Sequence, residues 1–281
     1  MAPHRVEPQF IKGRSGHLFV TLRVPSQHDT RHVVVLLAPF AEEMNKSRRL
    51  FTLQANTLCD AGFAVAVFDY YGTGDSEGAF GQANLGHWQR DGEDVLAFLA
   101  NKGFTHCTPL AVRFGALMLD HFVSASPLTI NHAILWQPVT SGAQSLNQFL
   151  RLQTAAHMMS GDQGPSVADM QATLKSGGSV EVAGYEVSAA LFEDCQSRKL
   201  EQLTPALDRV DWFAIATSSD AEPPAAAARH TQRWSDAGMR ARVRVVEGAQ
   251  FWAATELVVV PELVARTTAA VTSGAHEASQ S

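Results

Sequence analysis

The chain has 281 residues, of which 46% are hydrophobic and 18% charged, and its formal net charge is −6 at pH 7. The length suits one large soluble α/β domain that carries an insertion. A negative net charge argues against bulk nucleic-acid binding, which requires a basic face. No apolar run approaches the ~20 residues that cross a bilayer, and no signal-peptide core follows the N-terminus. We therefore expect a cytoplasmic protein that neither spans a membrane nor binds nucleic acid.

Strands and helices alternate along the chain. Residues 8–25 predict two strands around a Gly13–Gly16 turn. Further strands are predicted at 32–38, 63–69, 104–112, 131–137, 210–216 and 241–246. The continuous β-branched run at 32–38 is typical of a strand buried on both faces of a parallel sheet, and 131–137 is predicted to be buried as well. Amphipathic patterns predict helices at 47–62, 85–102, 113–123, 224–237 and 255–271. This alternation implies right-handed crossovers and a mostly parallel, twisted sheet flanked by helices.

The pattern changes between residues 140 and 205, where helical periodicity continues but no parallel strand is predicted. We interpret 140–205 as a helical cap inserted into a core formed by 1–139 and 206–272, and we predict a frayed tail at 273–281. A leading hairpin, a parallel sheet and a late helical insertion are together the layout of an α/β-hydrolase with a cap. Ligands of such sheets bind at the carboxyl ends of the strands, so the residues that follow each strand are the candidates for a site.

The segment 69–78 (DYYGTGDSEG) resembles the D-x-x-G-x-G-x-S-x-G turn that follows the fourth strand of α/β-hydrolases. Its glycines permit a tight backbone turn beneath the active-site loop. A generic glycine-rich loop is the alternative, but the position after a buried strand favours the hydrolase turn. This motif indicates the fold and supplies no chemistry.

The nucleophile of an α/β-hydrolase is expected at the next strand-to-helix turn, as G-x-S-x-G. The sequence there is AVRFGA (111–116), so Arg113 takes the place of the serine and Ala111 that of the first glycine. A guanidinium stays protonated at neutral pH and cannot act as a nucleophile. Ser124 and Ser126 follow only at the far end of the predicted helix and are poor substitutes.

The histidine of a catalytic triad should follow the last strand, where Gln250 or Phe251 stands, and neither is a general base. The acid should follow the preceding strand, where Asp220 is well placed; a turn or helix-capping aspartate is its alternative role. We therefore expect conventional serine-hydrolase catalysis to be absent, and the sequence leaves open whether the chain is an enzyme. The histidines and cysteines show no metal-ligand spacing, so we predict neither a metal nor a cofactor.

The loop after the third strand is dense in charge, since residues 39–49 read PFAEEMNKSRR. In this fold the loop faces the turn that carries the nucleophile, and an unpaired, partly buried Arg113 would cost several kcal/mol. Pairing of Arg113 with Glu42 or Glu43 would remove that cost. The alternative is a solvated helix start, because acidic residues are favoured near a helix N-terminus.

Five segments together are similar to a known family. They are PFAEEMNKSRR at 39–49, RFGA at 113–116, WQPV at 136–139, AGYE at 183–186 and GAQFW at 248–252. They resemble the exosortase A system-associated hydrolases of the second type, over nearly the whole chain. The resemblance implies an arginine at the nucleophile turn as a family trait, and a link to bacterial loci for exopolysaccharide production and surface-protein sorting. It implies no substrate.

Three functions remain open. The first is a polar site that binds an anionic or saccharide-like small molecule under the cap, with candidate residues Arg113, Glu42, Glu43, Asn45, Lys46, Arg48 and Phe114. Backbone amides at the start of a helix favour anions near Arg113. The second is an unorthodox ester or acyl hydrolase in which Glu43 or Asp220 activates water. The third is a non-catalytic partner protein of the exopolysaccharide or sorting system, which a homodimer and an exposed apolar patch would favour.

Overall fold

The computed structural model describes residues 4–26, 30–200 and 207–278. Its strands are β1 (His4–Lys12), β2 (His17–Pro25), β3 (His32–Leu37), β4 (Ala64–Phe68), β5 (His106–Val112), β6 (His132–Trp136), β7 (Ser179–Val182), β8 (Tyr185–Ser188), β9 (Arg209–Ala216) and β10 (Arg240–Glu247). One sheet has the order β1-β2-β4-β3-β5-β6-β9-β10, and β7 and β8 form a separate hairpin. β1 and β4 run antiparallel to β2, whereas the other neighbours pair in parallel. The predicted leading hairpin and mostly parallel sheet are confirmed.

Helices cover the sheet and connect its strands. They are α1 (Glu42–Asp60), α2 (Leu85–Asn101), α3 (Leu119–Ser124), α4 (Gly142–Ser160), α5 (Val167–Lys175), α6 (Ala189–Ser197), α7 (Ala225–Asp236) and α8 (Pro261–Ala278). α1 begins at Glu42 rather than at the predicted Ser47, because Glu42 and Glu43 occupy its first turn, where the helix dipole favours acids. The helix predicted from Arg113 begins as a 3-10 helix, Arg113–Met118, and becomes α-helical only in α3.

The central strands are apolar on both faces because helices pack on each side of the sheet. All residues of β6, and all but the first of β3 and of β5, are buried. The contacts of α1 with α8, and of α8 with β6 and β9, extend the core on one side of the sheet. Within the described ranges, no helix is both long enough and apolar enough to cross a membrane.

Residues 140–200, which we call the cap segment, lie between β6 and β9. The segment contains α4, α5 and α6, as its helical periodicity predicted, but also the β7–β8 hairpin, which was not predicted. The hairpin turns at Ala183 and Gly184, whose φ angles of 50° and 82° are both positive, as the tight turn of a two-residue hairpin requires. The two ends of the segment pair with each other at Ser141 and Lys199. The predicted end of the cap, at 205, lies outside the described residues.

The C-terminal helix begins and ends later than predicted. The sequence predicts a helix at 255–271, whereas α8 starts at Pro261, a residue that costs no hydrogen bond in the first turn of a helix. Gly274 packs against the ring of His132 so closely that a Cβ at residue 274 would lie 2.3 Å from Nδ1. Residues 273–278 of the predicted frayed tail are therefore helical, and 279–281 lie outside the described residues.

Candidate functional site

Arg113 lies at a sharp turn between β5 and the 3-10 helix that follows it. Its φ is 53°, a left-handed conformation that residues with a side chain rarely adopt. Gly115 brings this turn against the end of β3, where a Cβ at residue 115 would lie 2.3 Å from the carbonyl oxygen of Leu37. The strand on one side and the close contact on the other fix the backbone of Arg113 at the carboxyl edge of the sheet.

The strands on either side of β5 are also followed by strained residues. Ala41, at the end of the loop between β3 and α1, has a φ of 49°, and Gln137, directly after β6, has a φ of 40°. Gln137 is held in place because its side-chain Oε1 accepts a hydrogen bond of 2.7 Å from the N–H of Ile215. Such non-glycine residues store about 1–3 kcal/mol each and cluster at functional sites. The carboxyl edge of β3, β5 and β6 is therefore the candidate site.

The side chain of Arg113 is held by a carboxylate, a carbonyl and an aromatic ring. Its Nη2 donates to Glu43 Oε1 at 3.1 Å, and its Nε lies 3.3 Å from both carboxylate oxygens of Glu43. Its Nη1 donates to the carbonyl oxygen of Gln137 at 3.3 Å. The guanidinium carbon lies 4.8 Å from the centre of the Trp252 ring, a cation–π contact. The expected pairing of Arg113 with Glu42 or Glu43 is confirmed, and Glu43 is the partner.

The ion pair of Glu43 and Arg113 is largely withdrawn from solvent, with side-chain exposures of 24% and 14%. Burial raises the pKa of Glu43 above its ordinary value, and the charge of Arg113 only partly opposes that rise. Glu42, one residue earlier, forms a second ion pair with Lys46 at 3.3 Å along α1. The two carboxylates and the two cations thus neutralise each other at the carboxyl edge of the sheet.

These four charged residues lie on one side of a cavity of about 230 Å³. The other side is formed by the face of α4 that carries Ser145, Gln148, Phe149 and Leu152. Phe40 and Trp252 add two aromatic walls. The cavity therefore combines carboxylate, hydroxyl and amide groups with aromatic faces, which suits a small ligand that has both polar groups and an apolar ring face.

Comparisons with known proteins identify the fold. The chain matches no protein-family model. No curated protein matches its sequence. Among solved structures, Est1E from Butyrivibrio proteoclasticus, bound to ferulic acid, matches with a TM-score of 0.66 and 16% identity over 92% of this chain and 96% of that chain. The chain has the α/β-hydrolase fold.

Two further structures with this fold are similar over nearly their whole length. The esterase EaEST from Exiguobacterium antarcticum matches with a TM-score of 0.57 and 15% identity, over 95% of this chain and 98% of that chain. The mouse alpha/beta hydrolase domain-containing protein 10 matches with a TM-score of 0.56 and 12% identity, over 96% and 99%. At these identities the likeness concerns the α/β-hydrolase fold.

The structure brings together some of the residues that the sequence analysis proposed for ligand binding. Those that line the cavity are Glu42, Glu43, Lys46 and Arg113. Asn45 instead donates from Nδ2 to the hydroxyl of Tyr185 at 2.9 Å and so ties α1 to the β7–β8 hairpin. Arg48 donates to Asp69 at 3.0 Å and so holds the glycine-rich turn against α1. Phe114 is buried among aromatic rings below the cavity.

The residues at the expected acid and histidine positions do not line the cavity. Asp220 is exposed in the loop after β9, and its N–H donates to Ser218 Oγ at 3.2 Å, as in a turn. Gln250 is exposed, and Phe251 is fully buried with its ring centre 6.0 Å from that of Trp136. Sequence reasoning missed Trp252, although its place beside the expected histidine position put it within reach of Arg113.

No metal centre is formed by the part of the chain that the structure describes: no three His, Cys, Asp or Glu side chains there are arranged to hold an ion. The cysteines Cys59, Cys107 and Cys195 are buried thiols, and burial raises the pKa of each of them. They therefore pack as small apolar side chains and contribute nothing to the cavity.

Proposed function

We propose that this chain is an α/β-hydrolase-fold protein that binds a small, uncharged, saccharide-like ligand in the cavity and does not use a Ser-His-Asp triad. The proposal rests mainly on the position of Arg113 and on the contacts of its side chain. A cation stands at the sharp turn after β5, and it is already engaged by Glu43, Gln137 and Trp252.

The argument against a triad follows from position and burial. The turn after β5 is where this fold carries its nucleophile, and a guanidinium cannot take that role. The loop after β10 offers Gln250, which is exposed, and Phe251, which is fully buried, instead of a histidine. A hydrolase that loses its nucleophile keeps only the roughly 10³–10⁴-fold acceleration that binding and an oxyanion hole supply.

The argument for an uncharged ligand follows from the balance of charge. Glu43 satisfies Arg113, and Glu42 satisfies Lys46, so an incoming anion would have to displace a carboxylate from its partner. A hydroxyl group can instead donate to the free lone pairs of Glu43 without breaking the ion pair. Trp252 and Phe149 contribute aromatic side chains to the cavity wall, against which the apolar face of a sugar ring can pack.

A binding panel tests this proposal. Calorimetric titration with neutral monosaccharides and disaccharides, uronic acids and acyl phosphates should show saturable binding of a neutral sugar. Glu43→Gln should weaken that binding roughly 10-fold or more, since it removes a hydrogen bond to a charged group. Asp220→Asn is the matched control and should bind as the wild type does. Stronger binding of uronic acids would reject an uncharged ligand, and no binding across the panel would reject the proposal.

A second candidate is hydrolysis in which Glu43 activates a water molecule. It is favoured by one observation: Glu43 borders the cavity and burial raises its pKa towards the range useful to a general base. Turnover of short acyl esters that is lost in Glu43→Gln but kept in Asp220→Asn would support this reaction. A rate indistinguishable from that of buffer would reject it.

We also propose that the chain is one of the exosortase A system-associated hydrolases of the second type. Support comes from the resemblance itself and from where its segments lie, since 39–49, 113–116 and 248–252 all contribute walls to the cavity. A coding gene that lies outside any exopolysaccharide or surface-protein sorting locus would contradict this assignment. A role as a non-catalytic partner in that system, and a cytoplasmic location, stay predictions for copurification and cell fractionation.

A further inference from the structure

The second half of α4 extends past the cavity with one face open to solvent. The face that lines the cavity carries Ser145, Gln148, Phe149 and Leu152. Because an α-helix has 3.6 residues per turn, the same face continues through Ala155, Ala156 and Met159. Leu152, Ala155, Ala156 and Met159 are all exposed, Met159 to 90%, and we call these four residues the α4 stripe.

The back of this half-helix, by contrast, is packed by the chain that follows it. Gly164 lies against the ring of His157, where a Cβ at residue 164 would be 2.2 Å from Cδ2. His157 Nε2 also lies 3.1 Å from Nε2 of Gln153, within hydrogen-bond distance. The helix is thus supported from behind, and the α4 stripe is the face that it presents outwards.

We propose that the α4 stripe is the contact between two copies of this chain, packed antiparallel about a twofold axis. The pattern is self-complementary. Leu152 faces Met159 of the partner subunit, and Ala155 faces Ala156 of the partner subunit. Small residues at the centre let the two helices approach closely, and the larger side chains at each end close the contact. An isologous interface requires this kind of self-matching surface.

Charge favours the antiparallel arrangement over a parallel one. Arg151 and Asp162 flank the α4 stripe at its opposite ends, both are exposed, and neither forms an ion pair with another described residue. Among the described residues, the carboxylate of Asp162 accepts a hydrogen bond from its near neighbour Ser160, whose Oγ lies 3.0 Å away. If the twofold axis passes between residues 155 and 156, Arg151 lies about 7 Å from that axis, measured along the helix. This position is within reach of Asp162 of the partner subunit. Parallel packing would instead bring like charges together.

This contact would also complete the cavity described above, although it does not depend on which ligand that cavity binds. Leu152 lines the cavity rim, so Met159 of the partner subunit would cover the rim of its neighbour. The stripe is small compared with the roughly 800 Å² per partner of a standard interface. We therefore expect a dimer that forms in the micromolar range and dissociates on dilution.

Sedimentation equilibrium of the full chain, from about 1 to 200 µM, tests the dimer. The wild type should dimerise with rising concentration, whereas Met159→Glu and Ala156→Glu should stay monomeric. Because both side chains are exposed, these variants should unfold at the wild-type temperature when both are measured at a concentration at which the wild type is also monomeric. Val6→Glu, an equivalent change at a 46% exposed residue of β1, is the control and should dimerise normally. A wild type that is monomeric throughout, or dissociation of the control, would overturn the proposal.

A charge exchange tests the orientation of the two helices. Arg151→Asp places an acid opposite Asp162 of the partner subunit and should weaken the dimer several-fold at low salt. The double variant Arg151→Asp, Asp162→Arg restores opposite charges and should recover wild-type affinity. If the double variant stays as weak as Arg151→Asp, the antiparallel contact is wrong.

Discussion

Replacement of Arg113 by methionine tests the energetics of the candidate site directly. Methionine keeps an unbranched side chain beside Trp252 but removes the positive charge, so Glu43 loses both of the N–H groups that reach it. A carboxylate that has little access to solvent is then left without its cation. We expect Arg113→Met to unfold more easily than the wild type at neutral pH.

The size of the effect follows from the contacts and their burial. Charged hydrogen bonds contribute roughly 1.5–3 kcal/mol, and breaking a fully buried pair costs about 3–5 kcal/mol. Since 24% of the Glu43 side chain and 14% of the Arg113 side chain remain exposed, water partly compensates. We therefore expect a loss of about 2–3 kcal/mol at pH 8, which lowers Tm by roughly 4–12 °C in a chain of this size.

The loss should also depend on pH, with a sign that the structure fixes. Burial raises the pKa of Glu43 in the folded protein, and removal of Arg113 raises that pKa further. An acid whose folded pKa lies above its unfolded pKa favours the folded state at low pH, and this stabilisation is lost as pH rises through the folded pKa. The deficit of Arg113→Met should therefore be smaller at pH 5 than at pH 8.

Urea unfolding of the wild type, Arg113→Met, Glu43→Gln and the double variant, each at pH 5 and pH 8, measures these quantities. The double variant leaves no unpaired charge, so its loss should be less than the sum of the single losses by about 1–3 kcal/mol. Arg242→Met, at an exposed residue of β10, is the control for loss of a cation. Additive losses, or an equal deficit at both pH values, would refute the reasoning.

Three further predictions concern the framework around the site. Gly115→Ala should destabilise the protein by roughly 1–3 kcal/mol in urea unfolding, since a Cβ there would lie 2.3 Å from the carbonyl oxygen of Leu37. Asp211→Asn should cost about 3–5 kcal/mol by calorimetry, because this fully buried carboxylate accepts hydrogen bonds from His132, Arg209 and Arg244. Burial raises the pKa of Asp91 from 3.8 to about 7, so the contribution of Asp91 to stability should fall as pH rises across that interval. Asp91→Asn should remove that part of the slope and keep the hydrogen bond from the N–H of Tyr71.

The mostly parallel arrangement of the sheet could be predicted because its central strands leave little choice. A run such as 33–37 is apolar at every position, so it requires cover on both faces, which only a parallel sheet between helices supplies. The contact of Arg113 was predictable for a related reason. The topology brings the loop after β3 opposite the turn after β5, and a buried cation needs a partner.

Two details of the structure, the acid that pairs with Arg113 and the β7–β8 hairpin, depend on local geometry that the sequence pattern does not encode. Which acid pairs with Arg113 depends on where α1 starts, because adjacent helical residues point about 100° apart. Ala41, the residue before α1, has a positive φ of 49°, and no pattern of apolar residues indicates that backbone conformation. The β7–β8 hairpin was missed because its strands are only four residues long and carry charge.

The strain at the carboxyl edge of the sheet is what connects the fold to the proposed site. Ala41, Arg113 and Gln137 each adopt a positive φ that glycine would adopt at lower cost. At residue 113 a glycine would relieve the backbone but would remove the side chain that joins Glu43, Gln137 and Trp252. The strained backbone at residue 113 therefore costs stability, but it holds the guanidinium at the cavity wall. The side chain also stabilises the fold through its ion pair with Glu43, and in the proposed function it forms part of the wall of the ligand cavity.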